Sequence, residues 1–258
     1  MLSGFLWAKV INFSPLPMDS SINVYKHYQP MLQYLQKETG LEFKFVYSAS
    51  YKELIANFIS GKVDMIEAGA LPYVKLKKKF PIAKPIVTFL NKNSKPFYTC
   101  QMITSDKNIK SLKDINSNTK IFLTRKLSTC GYLMSEYMLN KIDKSLKNSN
   151  YKYIGTHTDV VFNTTMYDDA VGGVSSKVAQ KYTHLISIVD TSIKIPEFSL
   201  VVNSQTITPS QIKKIQNAFL SIKDKNKWNN NAKYGAIKTP TNFYHKITEI
   251  TNKIKIPE

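Results

Sequence analysis

The stretch Ile121-Phe-Leu-Thr-Arg-Lys-Leu-Ser-Thr-Cys-Gly-Tyr-Leu-Met134 joins a strand-like apolar run to a helix-like one. Four small residues, Ser128 to Gly131, lie at the junction. A serine or threonine at such a point is an ordinary helix N-cap. Two other interpretations remain open, a catalytic elbow built on Cys130 and a backbone cradle for an anion. Because one residue would be enough to cap the helix, the run of four small residues favours a role beyond capping.

Strand-like and helix-like segments alternate along most of the chain. We predict strands at residues 10–13, 42–47, 63–67, 86–90, 98–104, 120–124, 152–155, 169–171, 185–189 and 199–202. We predict helices at residues 22–38, 50–60, 130–142, 158–166, 175–182, 209–222, 230–237 and 243–254, and one more that follows the loop 69–73 and ends at about residue 79. Repeated strand–helix–strand units imply parallel sheets covered by helices, so the predicted fold class is α/β.

Extended links near residues 91–98 and 197–203 separate two such series. The last helices have no strands of their own, so we expect them to return to the first series. This predicts two α/β lobes with the second inserted into the first: lobe 1 is 9–93 plus 203–258, and lobe 2 is 94–202. Ligands in such folds bind at the carboxyl ends of strands and at helix N-termini, which predicts a ligand cleft between the lobes.

The first eight residues are apolar and precede a predicted strand. They resemble the tail of a secretion signal ending at Ala8, which favours an exported protein, although an ordinary N-terminal extension has the same pattern. No window of 18 consecutive residues is apolar enough to predict a membrane span.

Charge composition argues against nucleic acid as a partner. The formal net charge is +18, yet among 36 basic residues Arg125 is the only arginine. Bidentate recognition of phosphates and guanines depends on arginine. The lysines are spread along the chain, which favours a general compositional bias towards lysine over a binding surface, although diffuse positive charge would still help to draw small anions to a cleft.

The two cysteines, Cys100 and Cys130, do not have zinc-site spacing and lie in no cluster of histidines and cysteines. A single disulfide in an oxidising compartment remains open. A cysteine-dependent enzyme, with Cys130 at a helix N-terminus and His157 as its partner, is a further alternative, but no third residue is evident to orient them.

Two other junctions carry candidate ligand residues. Gly155-Thr-His-Thr-Asp159 again links a strand to a helix, and His157 and Thr158 would project from the same sheet edge as Ser128. Tyr51 begins a predicted helix in lobe 1, and Tyr98 lies where the chain crosses between lobes. A tyrosine hydroxyl beside a cleft is a suitable donor to an oxyanion.

Several motifs occur together in one order: Pro30-Met-Leu-Gln-Tyr-Leu-Gln-Lys-Glu-Thr-Gly40, Tyr51 with Ile59-Ser-Gly-Lys-Val-Asp64, Gly69-Ala-Leu-Pro-Tyr73, Tyr98, Ile109-Lys-Ser-Leu-Lys-Asp114, Ser128-Thr-Cys-Gly-Tyr-Leu133 and Thr156-His-Thr-Asp159. In this order and spacing, the chain resembles the PhnD-type periplasmic phosphate/phosphite/phosphonate-binding proteins of ABC importers, which have the type 2 periplasmic binding fold. The resemblance covers roughly residues 9–222.

The resemblance implies a solute-binding protein, not an enzyme, that captures a small oxyanion and delivers it to a membrane ABC permease. It implies that the oxyanion is held by helix N–H groups and by these side chains and positions: Ser128, Thr129, Cys130, Gly131, His157, Thr158, Tyr51 and Tyr98. It also implies a location in the periplasm, or anchored to a membrane outside the cytoplasm. We expect a monomer that needs no cofactor or metal.

Two departures from the family pattern bear on the ligand. Cys130 stands where the family has a third hydroxyl, and a thiol is a weaker donor. No acidic residue lies near Ser175 and Ser176 or directly after Ser192, which argues against an aminoalkylphosphonate. Phosphate, phosphite, methylphosphonate or another small oxyanion is then expected. A module of the same fold that reports its ligand to a membrane kinase is the alternative to transport.

Overall fold

The structure, a computed structural model, describes residues 9–222, 228 and 230–257. The expected signal remnant, residues 1–8, lies outside the described residues. The strands are β1 (Ile11–Ser14), β2 (Phe43–Phe45), β3 (Met65–Ala68), β4 (Ala83–Phe89), β5 (Phe97–Tyr98), β6 (Cys100–Thr104), β7 (Lys120–Leu123), β8 (Asn150–Tyr153), β9 (Ala170–Ser175), β10 (Ser187–Thr191), β11 (Ile195–Pro196), β12 (Ser199–Asn203) and β13 (Ala236–Lys238). The α-helices are α1 (Ser21–Thr39), α2 (Tyr51–Ile59), α3 (Ala70–Lys79), α4 (Met134–Asn140), α5 (His157–Met166), α6 (Ser176–Ala179), α7 (Pro209–Leu220) and α8 (His245–Lys253).

The predicted α/β class is confirmed, and the chain divides into two compact units. Unit 1 holds the chain up to Gly69, Lys75–Pro96 and Glu197–Thr241, and unit 2 holds Ala70–Val74, Phe97–Pro196 and the chain from Asn242 onward. The chain therefore passes between the units more often than the two predicted crossings.

The end of the chain is the main difference from the predicted lobe boundaries. Residues 203–258 were expected in lobe 1, but those from Asn242 onward belong to unit 2. The Tyr244 ring lies 4.3 Å from the Tyr73 ring, and the Tyr132 hydroxyl donates to the Lys255 carbonyl at 3.2 Å. The residues on both sides of α8 thus contact residues of unit 2.

Unit 1 is built on a six-stranded mixed sheet in the order β13-β4-β12-β3-β1-β2. Strands β2, β1 and β3 are parallel, and β12, β4 and β13 continue the sheet in antiparallel pairs. Helix α1 buries Val24, Tyr28, Met31, Leu32 and Leu35 at helical spacing in the same core as α7. Gly40, with φ of 66°, ends α1 in the left-handed conformation that glycine adopts at little cost.

The predicted helix at 230–237 is wrong. Asn231–Tyr234 forms only a 3-10 turn, and Ala236–Lys238 is strand β13. Gly235 has φ of 86° and breaks the helical path, while its carbonyl accepts the N–H of Leu90. Pairing with β4 thus decides the conformation of this short segment.

Unit 2 is built on a five-stranded sheet in the order β10-β6-β9-β7-β8. Strands β9, β7 and β8 are parallel, so their carboxyl ends lie at one edge, and each is followed by the start of a helix. Strand β6 runs the other way, so its first residue, Cys100, pairs with Ser175 at the end of β9. None of the described helices combines the length and apolar character needed to cross a bilayer.

We expect Leu35→Ala to lower the free energy of unfolding by about 2–5 kcal/mol, because it removes buried methyl groups and leaves a cavity in the core of unit 1. Gln33→Ala, at an exposed position of the same helix, should change it by less than about 0.5 kcal/mol. Urea unfolding monitored by circular dichroism measures both. Equal effects of the two substitutions would contradict the placement of α1.

Candidate functional site

Two of the predicted junctions lie at the same edge of the unit 2 sheet. Ser128 to Gly131, here called the cradle, follows β7, and His157 and Thr158 open α5 after β8. Beyond the ends of both strands, the Gly155 N–H still donates to the Thr124 carbonyl at 3.0 Å. A third junction, β9 to α6, reaches this edge through Ser175.

The cradle begins with a widened helical turn. Residues Thr129–Leu133 form a π-helical turn that continues into α4. The Ser128 carbonyl accepts the N–H of Tyr132 at 3.1 Å and that of Leu133 at 3.3 Å. The N–H groups of Thr129 and Cys130 have no earlier carbonyl of the same helix to donate to, as is true of the first residues of every helix. Within the described residues these two N–H groups have no backbone acceptor, and π-helical turns are frequent at functional sites.

Both cradle hydroxyls keep a proton to donate. Ser128 Oγ accepts the Gly131 N–H at 2.9 Å, and Thr129 Oγ1 accepts the Leu71 N–H at 3.0 Å. A hydroxyl has one donor and two acceptor positions, so accepting one bond leaves its O–H available. Ser128 is therefore the N-cap that the sequence suggested, and it can still act as a donor.

Two glycines allow the cradle to lie directly against the sheet. A Cβ on Gly131 would stand 2.0 Å from Thr124 Oγ1 and 2.7 Å from the Thr124 nitrogen. A Cβ on Gly173 in β9 would stand 2.2 Å from Ser135 Oγ and 3.1 Å from the Cys130 carbonyl oxygen. The Thr124 hydroxyl is buried and has no hydrogen-bond partner in the part of the chain that is described. Sequence reasoning missed both Thr124 and Gly173.

The structure corrects the expected role of Cys130. Its sulfur is bonded to that of Cys100, so the disulfide that the sequence left open is formed. A disulfide sulfur carries no proton, hence Cys130 cannot supply a thiol donor or an active-site thiolate. What Cys130 retains for a ligand is its backbone N–H. Both cysteines are buried.

His157 opens α5 as a neutral side chain. Thr156 and Asp159 form a capping box around it, so the Asp159 carboxylate is engaged by the Thr156 N–H and hydroxyl. The Ser175 N–H donates to His157 Nδ1 at 3.4 Å, which assigns the ring proton to Nε2. Burial and, to a smaller extent, the nearby charge of Arg125 lower the pKa of His157 from its usual value to about 4. At neutral pH its Nε2–H is a neutral donor.

Arg125 is a residue whose place in the site the sequence analysis did not recognise. It lies in the turn between β7 and the cradle, where its carbonyl accepts the Ser128 N–H at 3.0 Å. Its charge acts on His157 across this edge. Its position in the sequence, three residues before Ser128, was the signal that could have placed it beside the cradle.

The remaining predicted residues are placed in different ways. Tyr98 lies in β5, opposite Ile195 of β11, with the Lys177 ammonium 5.8 Å from its ring centroid. Thr158 is the second residue of α5 and is partly buried. Tyr51 opens α2 in unit 1, so its membership of this site stays a prediction. Among residues 9–222, 228 and 230–257, no cluster of three or more histidine, cysteine or acidic side chains is arranged to hold a metal ion.

We expect Gly131→Ala to destabilise the protein by about 1–3 kcal/mol, because the new methyl group would overlap Thr124, including its backbone nitrogen. Gly69→Ala is the matched control, since its Cβ would meet the Phe198 ring at 3.4 Å, an ordinary contact. Thermal unfolding compares the two. A similar small loss in both would show that the cradle does not lie as close to Thr124 as described.

The His157 pKa predicts a pH dependence of stability. Between pH 6.5 and about 4, the unfolded chain binds a proton that folded His157 does not, so stability falls as the pH is lowered through this window. The contribution is on the order of 2 kcal/mol, allowing for partial exposure. Urea unfolding of wild type and His157→Gln at several pH values should show a difference between them that grows from pH 4 to 6.5. Parallel curves would contradict the assignment.

Comparison with known proteins gives consistent results. Residues 13–240 match the family described as "ABC transporter, phosphonate, periplasmic substrate-binding protein". Over 128 residues the chain is 25% identical to the phosphate-import protein PhnD of Mycolicibacterium smegmatis, a match that covers 48% of this chain and 40% of that relative's length.

Two solved structures have the same fold over most of their length. PhnD1 of Prochlorococcus marinus in complex with methylphosphonate aligns with a TM-score of 0.76 and 20% identity, covering 95% of this chain and 98% of the other. A binding-protein component of a Pseudomonas aeruginosa phosphonate ABC transporter aligns with a TM-score of 0.76 and 18% identity, covering 94% and 85%. The resemblance inferred from the sequence is confirmed, and the chain belongs to the family of periplasmic substrate-binding proteins of phosphonate ABC transporters.

Proposed function

We propose that the chain binds a small tetrahedral phosphorus oxyanion at the cradle edge of unit 2 and delivers it to an ABC permease. The observation that carries the proposal is the set of donors gathered at this edge. The widened turn leaves the N–H groups of Thr129 and Cys130 without a helical acceptor. The hydroxyls of Ser128 and Thr129 each accept one hydrogen bond and keep a proton to donate. His157 adds a neutral N–H from the next junction.

Such a set of donors suits an anion on physical grounds. The start of a helix carries a partial positive charge, and its free N–H groups point towards a ligand placed there. Each hydrogen bond to a charged group contributes about 1.5–3 kcal/mol. Because the donors are neutral, affinity arises from their alignment rather than from an ion pair, while the charge of Arg125 acts from the same edge.

Three further predicted residues complete the proposal. Tyr98 is two residues from Cys100 in unit 2, and Thr158 follows His157 in α5. Tyr51 is included on the resemblance to the family alone. Since all the proposed donors come from one chain, the binding species proposed is a monomer.

The class of ligand is proposed from the relatives together with the donors. The description of the family names phosphonate, and that of the Mycolicibacterium relative names phosphate import. The Prochlorococcus structure is a complex with methylphosphonate. All three share the tetrahedral oxyanion head that the cradle suits. The permease as partner follows from the description of the family as part of an ABC transporter.

Isothermal titration calorimetry with phosphate, phosphite, methylphosphonate and sulfate tests the proposal. We expect at least one phosphorus oxyanion to bind, and Ser128→Ala/Thr129→Ala to weaken that binding by at least about 100-fold, because two donors to a charged ligand are lost. Ser111→Ala is the matched control, because it removes a helix cap in the same unit without touching the cradle. Absence of binding by wild type, or unchanged affinity in the double variant, would refute the assignment.

A further inference from the structure

The Cys100–Cys130 disulfide joins the cradle to the sheet. Cys100 is held in the sheet on both sides: it pairs with Ser175 of β9, and its N–H donates to Ser192 Oγ at 2.9 Å. Its carbonyl also accepts the Ser192 N–H at 2.9 Å. The sulfur of Cys130 is therefore fixed to a rigid position, although Cys130 itself lies in the first, least bonded turn of its helix.

The same two cysteines adjoin several of the proposed donors of unit 2. Cys130 carries one of the open N–H groups and directly follows Thr129. Cys100 pairs with Ser175, whose N–H fixes the orientation of His157. A covalent bond between the two cysteines thus constrains the cradle relative to the residue that orients the histidine.

We propose that the Cys100–Cys130 disulfide is a positioning element of the oxyanion site, so that breaking it lowers oxyanion affinity while unit 2 stays folded. The inference rests on the proposed function. Two effects compete on reduction: the cradle loses a constraint, and Cys130 gains an S–H. A thiol is a weak donor, whereas misaligned N–H and O–H groups lose part of every bond they make, so the loss of alignment dominates.

The reduction step balances as a two-electron exchange. A dithiol reductant such as dithiothreitol supplies two electrons and two protons, the sulfur–sulfur bond breaks, two thiols form, and the reductant becomes a cyclic disulfide. Because coupling between two equilibria is reciprocal, an oxyanion that binds the oxidised form more tightly must make the disulfide harder to reduce by the same factor. In a reduced protein that stays folded, a bond that served only to hold the fold together would not show this linkage.

The first experiment is a redox titration of the full chain in dithiothreitol buffers, with and without saturating methylphosphonate, read by thiol labelling. We expect methylphosphonate to lower the midpoint potential by about 30 mV, which corresponds to a tenfold difference in affinity for a two-electron couple. An unchanged or raised midpoint, in a protein that calorimetry shows to bind methylphosphonate, overturns the inference. Failure of the oxidised protein to bind any phosphorus oxyanion refutes the proposed function instead.

The second experiment compares Cys100→Ala/Cys130→Ala with Ile186→Ala by calorimetry and thermal unfolding. Ile186 is a buried residue of the unit 2 core and lies outside the cradle. We expect both variants to unfold at a lower temperature, but only the double cysteine variant to lose about tenfold in affinity. Equal affinity losses at matched stability would show that the disulfide acts only through overall stability. If the double variant does not fold, the redox titration of the wild-type protein still tests whether the disulfide positions the oxyanion site.

Discussion

The close approach of the cradle to the unit 2 sheet is the constraint on which the proposed site depends. The cradle rests on the end of β7 at Gly131 and on β9 at Gly173, and at both points a side-chain carbon would overlap a neighbouring group. The disulfide adds a third attachment, to β6. With the turn held on three adjacent strands, its open N–H groups have fixed directions before any ligand arrives. A site that is ordered in advance loses less entropy when it binds.

Neutral donors also fit the proposed capture and release of an oxyanion. A buried ion pair would have to be desolvated on binding and left uncompensated on release. His157 avoids this, because burial and Arg125 keep its pKa at about 4 and the ring uncharged at neutral pH. The hydrogen bond from Ser175 then directs the remaining ring proton to Nε2. The same donors could hold and release an anion without any change in their own protonation.

Much of this arrangement was predictable because it is local in sequence. The strand-to-helix junctions at Ser128 and His157 follow from apolar periodicity and small residues, and parallel pairing places them at one edge. The position of the last helix was not predictable in this way: α8 belongs to unit 2, and contacts beside it such as that of Tyr244 with Tyr73 are not signalled by any nearby residue. The conformation of Ala236–Lys238 likewise depends on its pairing with β4.

Cys130 shows why residue type alone misjudges a site. Considered as a side chain facing a ligand, it is a poor substitute for a hydroxyl, and the sequence gives no indication that Cys100 lies beside it. The antiparallel course of β6 brings Cys100 to the carboxyl edge of β9, next to the cradle. The sulfur then acts on the backbone rather than on the ligand: it gives up one weak donor and restrains a turn that presents several stronger ones. The chemistry of this position is therefore that of its N–H group, whose direction the disulfide helps to set.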